Sequence, residues 1–199
     1  DVFALLPVTQ KFIFLEDGDI ADITRDKLTI YDSELSIVER SIKLTELNAD
    51  MADKAGYRHY MLKEIFSQPN AIEKSLEHRI KDGKIITSEF GQNADSIFSR
   101  VKSVKIAACG TSYHAGLIAA YWMEEIAHIS CHVEIASEYR YRKSVVIDDT
   151  LFVSISQSGE TADTLAALHL AKESNFLSTL AICNVAESSL TRDSELVFL

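Results

Sequence analysis

The stretch SISQSGETADT, Ser154–Thr164, decides the fold. An apolar run, Thr150–Ile155, stops there in a cluster of hydroxyl, amide and glycine residues, and helix-forming residues follow at once. A strand that ends where a helix begins is the repeating step of an α/β sheet. A second segment has the same character: CGTSYHAG, Cys109–Gly116, follows the apolar run Val104–Cys109 and leads into another helical stretch.

Outward from these loops the alternation is regular. Val104–Cys109 reads as a buried strand, Tyr113–His128 as a helix, His132–Ala136 and Thr150–Ile155 as strands, Thr161–Ser174 as a helix and Ser178–Cys183 as a strand. Leu196–Leu199 opens a further strand. Continuous apolar strands alternating with helices imply a parallel sheet covered on both faces, a three-layer αβα arrangement. Parallel topology then puts both loops at one sheet edge, outside the carboxyl ends of the strands, where ligands bind in such folds.

The N-terminal part has a different rhythm. Lys11–Leu15, the turn signal Glu16-Asp17-Gly18-Asp19, Ile20–Thr24 and Lys27–Tyr31 read as a β-meander. Residues Ser33–Ala55 are polar and acidic without clear periodicity, which suits a connecting segment. Tyr57–Ser67 and Ala71–Lys81 read as two helices separated at Pro69, the second closed by Asp82-Gly83.

The chemistry of the two loops follows from their position. A helix start has backbone N–H groups without intrahelical partners and a partial positive charge, so an anion placed there is stabilised. Gly110 and Gly159 allow close backbone approach, and Ser and Thr hydroxyls add rotatable donors. Neither loop contains Lys or Arg. Four donors at about 1.5 to 3 kcal/mol each give roughly 6 to 12 kcal/mol against an association cost of about 4 to 15 kcal/mol. Weak binding of a releasable phosphorylated metabolite is the expectation. A rival reading makes the same residues helix caps and turn formers. No GxxxxGK[ST] P-loop is present, and Gly110 and Gly116 lack the GxGxxG spacing of a dinucleotide site.

Whole-chain properties bound the partners. The 199 residues are 47% hydrophobic and 25% charged, as in a globular protein of one domain, or one domain plus part of another. The formal net charge of -10 argues against a nucleic-acid or anionic-membrane surface. Cys109, Cys131 and Cys183 are odd in number and widely spaced, suggesting a reducing compartment rather than a disulfide framework. No apolar run approaches the roughly 20 residues of a membrane span, and the acidic N-terminus does not read as a signal peptide. A cytoplasmic location is expected. The chain opens at Asp1 into the apolar stretch Val2–Leu6 and ends on Leu196–Leu199, so both ends read as cuts through folded structure.

Other conspicuous residues read as structural. Glu160 complements the dipole of the helix it precedes and is expected to point away from the loop's anion site. His114 has no visible carboxylate partner, and His59, His78, His128, His132 and His169 show no metal spacing. Arg140, Arg142 and Lys143 suit a solvated or subunit-contact face rather than a substrate clamp. Tyr121 and Trp122, mid-helix, suit core or subunit packing. Cys109 suits a small packing residue at a strand end.

With those residues in view, a resemblance becomes specific. CGTSYHAG, ASEYRYRKS at Ala136–Ser144, SQSGETADT and LAICNV at Leu180–Val185 together resemble the isomerase region of the glutamine:fructose-6-phosphate aminotransferase (glucosamine-6-phosphate synthase) family, with its sugar-isomerase (SIS) fold. YRHYMLKEIFSQP, Tyr57–Pro69, is similar to that family's lead into the isomerase half, and FIFLEDGDIADIT, Phe12–Thr24, resembles the last strands of its glutaminase domain. The resemblance implies three segments: a C-terminal part of a class II glutaminase domain over 1–48, a connecting segment over 49–94, and a first SIS domain, incomplete at its C-terminal end, over 95–199.

What else the resemblance implies is a set of expectations. The family's sugar-phosphate contacts fall on Thr111 and Ser112 in the first loop and on Ser156, Gln157, Ser158 and Thr161 in the second. The implied reaction transfers ammonia from glutamine to fructose 6-phosphate and isomerises the product to glucosamine 6-phosphate, without metal or organic cofactor. No catalytic residue of the family matches a position here: the N-terminal cysteine nucleophile, acid/base glutamate, ring-opening histidine and imine-forming lysine lie elsewhere in the family's sequence. The chain alone is therefore expected to be inactive. A homo-oligomer, a dimer through SIS domains, is implied, with neither nucleic acid nor membrane as partner. The alternative function is a non-enzymatic SIS module sensing a sugar phosphate; such sensors usually carry a helix-turn-helix where this chain has its β-meander. A third reading makes the chain a packing or assembly piece.

Overall fold

The computed structural model describes residues 5–6, 8–45 and 54–199, in two compact units, Asp1–Ser67 and Gln68–Leu199. Most of Val2–Leu6, and residues 46–53 of the expected connecting segment, lie outside the described residues.

In the first unit the strands are β1 (Lys11–Ile13), β2 (Ile20–Ile23), β3 (Leu28–Tyr31), β4 (Ile37–Val38) and β5 (Ile42–Leu44). The meander is real but begins one strand later than the turn signal suggests: β2, β3 and β4 pair antiparallel in order, while β1 pairs antiparallel with β5. Residues read as a connector therefore supply two strands. Those strands, of two and three residues, are too short to display alternation. A local and a long-range contact together explain the pairing. The Asp19 carboxylate accepts from Glu16 N at 2.9 Å, closing the turn. It also receives Arg40 Nε and Nη2 at 2.8 and 2.9 Å, drawing the chain before β5 back to the turn after β1.

Helix α1 (Tyr60–Leu76) runs through Pro69, where the sequence suggests two helices. Proline costs an interior helix about 3 kcal/mol, mostly through a lost hydrogen bond and a clash with the preceding turn. Here the carbonyl that loses its donor is that of Ile65, a residue 51% exposed, so solvent can satisfy it. Asp82-Gly83 is not a helix end. With φ of 52° and 72°, the pair forms the two-residue turn of a hairpin between β6 (Ile80–Lys81) and β7 (Lys84–Ile85). Left-handed backbone at both positions is what a tight hairpin requires.

A 3₁₀ turn (Thr87–Phe90) and α2 (Ala94–Phe98) lead into the alternating region: β8 (Ser103–Ala108), α3 (Gly110–Glu125), β9 (Ser130–Ile135), α4 (Ala136–Tyr139), β10 (Thr150–Ser156), α5 (Ala162–Lys172), β11 (Ser178–Cys183), α6 (Ser189–Asp193) and β12 (Leu196–Phe198). The sheet is parallel throughout, in the order β12-β11-β10-β8-β9. One face carries Val104, Ile106, Leu151, Val153 and Leu180, packed by Ala94 and Ile97 of α2 and by Ala119, Ala120 and Met123 of α3. Phe152, fully buried, points to the other face, where its ring meets Tyr139 at 5.3 Å and Phe176 at 5.1 Å beneath α4 and α5. Burial on both faces is why these strands are continuously apolar rather than alternating. The chain leaves β8 toward one edge and returns to place β10 on its other side, so the topological switch lies between β8 and β10. Ala108 is level with Ile155, and Ser156 with Cys183, so the loops after β8, β10 and β11 emerge side by side.

Candidate functional site

At that switch point the β8–α3 and β10–α5 loops face each other across a cleft of about 280 Å³. Its walls include Thr111 and Ser112 from the first loop and Ser156, Gln157, Ser158 and Thr161 from the second, so all six sequence-predicted positions converge. Crevices of this kind, outside the carboxyl ends of the strands, are where open α/β sheets bind ligands. Cys109, Gly110, Ile155 and Thr164 complete the lining. Thr164 escaped the sequence reading, although it sits one helical turn after Thr161 and therefore shares its face.

The loop hydroxyls bear on the rival reading of caps and turn formers in two ways: neither helix start is capped by a side chain, while Ser156 and Ser158 do form turns. The residues preceding α3 and α5 are Cys109 and Thr161, and neither side chain makes a capping hydrogen bond. Ser188, before α6, does accept from Thr191 N, at 3.4 Å. Within the second loop, Ser156 Oγ accepts from Gly159 N at 3.0 Å and Ser158 Oγ accepts from Glu160 N at 3.2 Å. These bonds shape the loop and use the hydroxyl oxygens as acceptors, leaving their hydrogens able to donate. The first turns of α3 and α5 thus open into the cleft without side-chain caps, an arrangement suited to an oxyanion.

Two glycines make the backbone possible for different reasons. Gly110 has φ 56° with open space where a Cβ would stand, so its requirement is conformational. Gly159 has φ 67° and is also crowded: a Cβ there would collide with Ser188 Oγ and lie 2.8 Å from Cys183 Sγ.

Both acidic groups at the start of α5 are engaged away from the cleft. Glu160 Oε1 accepts from Ser189 N at 2.8 Å, in keeping with its expected outward orientation. Asp163 pairs with Arg140 Nη1 at 2.8 Å. Arg142 joins Lys105 on Glu134, the Lys105 Nζ to Oε1 distance being 2.6 Å. Burial pushes the Glu134 carboxyl up, yet hydrogen bonds from Arg142 and Lys105 outweigh it and hold the group below the usual carboxylate range. Arg140 and Arg142 are thus committed to carboxylates rather than aimed as a phosphate clamp.

His114 is exposed, its ring edge-on to Tyr113 at 5.5 Å. Cys109 is half-buried on the cleft wall, 4.0 Å from Thr164 Oγ1, so it contributes to the site as well as to packing. Burial raises the Cys131 thiol to about 11, leaving it protonated at neutral pH. Tyr121 and Trp122 are not core residues. They are 73% and 62% exposed, in a stripe with Ile118 on α3 and Ile126 just beyond its end. Among the described residues no group of three or more His, Cys, Asp or Glu is placed to hold a metal ion, and no helix is long and apolar enough to cross a membrane.

Comparison with known proteins agrees with this fold. The glutamine–fructose-6-phosphate aminotransferase (isomerizing) of Idiomarina loihiensis is 53% identical over 199 residues, covering 100% of this chain and 33% of that protein. The protein of the same name from Escherichia coli (strain K12) is 54% identical over the same span, again 33% of its length. The chain therefore spans about a third of the length of the curated relatives it matches. Among solved structures, the C-terminal domain of glucosamine-fructose-6-phosphate aminotransferase from Francisella tularensis superposes with a TM-score of 0.69 at 51% identity, covering 74% of this chain and 41% of that one. The SIS domain model matches residues 97–199, which hold the parallel sheet and both cleft loops, and the chain accordingly belongs to the SIS domain family.

Proposed function

We propose that the protein converts fructose 6-phosphate and glutamine to glucosamine 6-phosphate and glutamate, and that this chain supplies the loops that hold the sugar phosphate. The observation that carries the reading is the cleft at the switch point, where Thr111, Ser112, Ser156, Gln157, Ser158 and Thr161 converge beside two helix starts without side-chain caps. Backbone N–H groups and hydroxyl donors surround the phosphate, and no cation is needed on the loops themselves. Neutral donors favour release as well as binding, which suits a substrate that must leave as product. Enolisation needs a general base and imine formation an amine nucleophile. Neither belongs to the cleft lining, so these groups come from other parts of the intact protein.

The same reading assigns residues 1–48 to the end of a glutaminase domain, 49–94 to a connecting segment and 95–199 to a first SIS domain. It also carries a cytoplasmic homo-oligomer, and the exposed stripe of Ile118, Tyr121, Trp122 and Ile126 on α3 and just beyond its end supports subunit packing. Ligand-induced stabilisation tests the reading. Fructose 6-phosphate and glucosamine 6-phosphate raise the melting temperature of the intact protein in a concentration-dependent way, whereas unphosphorylated fructose does not. Equal shifts with and without the phosphate would remove the basis of the assignment.

A further inference from the structure

Residues 157–160 are tied to the last residue of β11 and to the segment that follows that strand. Gly159 O accepts from Leu190 N at 3.1 Å, and Cys183 Sγ lies 3.8 Å from Gln157 O. The Gly159 backbone is pressed against Ser188, and Glu160 Oε1 accepts from Ser189 N at 2.8 Å. Ser158 and Thr161 line the cleft, and the two residues between them do not. Gly159 and Glu160 make the ties to Leu190 and Ser189.

We infer that Glu160 is a positioning residue for the phosphate-binding loop: through Ser189 N–H its carboxylate fixes the turn that presents Ser158 and Thr161 to the ligand. The inference rests on the sugar-phosphate reading above. One hydrogen bond has two effects. It anchors the loop to α6, using an N–H that has no intrahelical partner in the first turn of that helix. It also keeps a negative charge from turning toward the anion, where it would repel. The bond that Ser189 N–H donates is strengthened because its acceptor, the Glu160 carboxylate, is charged.

The test uses the intact protein and three forms: wild type, Glu160→Ala, which removes the tie, and Glu160→Gln, which keeps an acceptor oxygen without the charge. Binding of fructose 6-phosphate is measured by calorimetry and turnover by steady-state kinetics. Losing the tie weakens fructose 6-phosphate binding about tenfold in the Ala form, while the Gln form stays within about threefold of wild type. The KM for fructose 6-phosphate rises in the Ala form with kcat within about twofold, the pattern of lost ground-state positioning rather than lost chemistry. Glu160 is exposed, so the two variants should melt together, and a general folding defect would not separate them. Wild-type-like affinity in the Ala form, or a Gln form as weak as the Ala form, overturns the inference alone. Failure of wild type to bind any sugar phosphate overturns the underlying reading and the inference with it.

Discussion

Ser156 Oγ accepts a hydrogen bond from the Gly159 amide at 3.0 Å, and this bond folds the β10–α5 loop back over the end of its own strand. The hydroxyl is buried and lies 3.4 Å from Thr161 Oγ1, so the strand end, the turn and the helix start meet at one oxygen. The loop is consequently set before any ligand arrives, which reduces the ordering cost of binding.

Replacing Ser156 with Ala leaves the buried Gly159 N–H without its acceptor. The expected destabilisation is about 1 to 3 kcal/mol, read as a shift in the urea midpoint at unchanged slope. A midpoint equal to wild type would mean that the bond contributes nothing to the loop.

Ser154, one pleat earlier on the same strand face, is the opposite case. Its hydroxyl is fully buried and has no hydrogen-bond partner among the described residues. Ser154→Ala should therefore leave stability unchanged or raise it by about 1 kcal/mol, since an unsatisfied buried hydroxyl is costly. Clear destabilisation in the same urea experiment would reveal a partner for that oxygen.

The two cleft glycines should respond unequally to alanine. Gly110→Ala incurs only the left-handed backbone penalty, about 1 to 2 kcal/mol, because space around it is open. Gly159→Ala adds a collision with Ser188 and should cost about 2 to 5 kcal/mol in total. Thermal melts of the pair decide the matter, and equal losses would contradict the packing described for Gly159.

The turn at Asp19 carries a pH signature. Hydrogen bonds from Arg40 and from Glu16 N lower the Asp19 carboxyl from 3.8 to about 2. A group with a depressed folded value stabilises fully above its unfolded value, and that contribution disappears as pH falls through the folded value. The Asp19–Arg40 contribution is thus complete above pH 3.8 and lost toward pH 2. Carbon-detected NMR titration of Asp19 should give a midpoint near 2, and Arg40→Ala should return it toward 3.8. An unmoved midpoint in that variant would assign the shift to another cause.

Much of the sheet domain could be read from the chain because buried parallel strands are marked by composition alone. Ser178–Cys183 agrees residue for residue with β11, and Thr150–Ile155 misses β10 by one position. The convergence of the six cleft positions followed from the same logic, since strand-to-helix loops of a parallel sheet share an edge. What escaped depends on distant partners or on very short elements. Nothing local tells Ile42–Leu44 to pair with Lys11–Ile13, and α4 and α6, of four and five residues, are too short for helical periodicity to register. Pro69 and Asp82-Gly83 misled in instructive ways: the first is a helix breaker whose cost falls on an exposed turn, the second a genuine turn signal attached to the wrong element. For Tyr121 and Trp122 the sequence leaves core and subunit packing open, because hydrophobicity does not show which face of a helix the sheet covers; their exposure in the structure removes the first.

The central claim is that the paired loops hold the phosphate of a sugar. Calorimetric titration of fructose 6-phosphate into the intact protein tests it most directly, comparing wild type with a variant carrying both Ser112→Ala and Ser158→Ala, one change in each loop. Loss of two donors to a charged acceptor, at about 1.5 kcal/mol each or more, should weaken binding about a hundredfold or beyond detection. Unchanged affinity in the double variant would contradict the site.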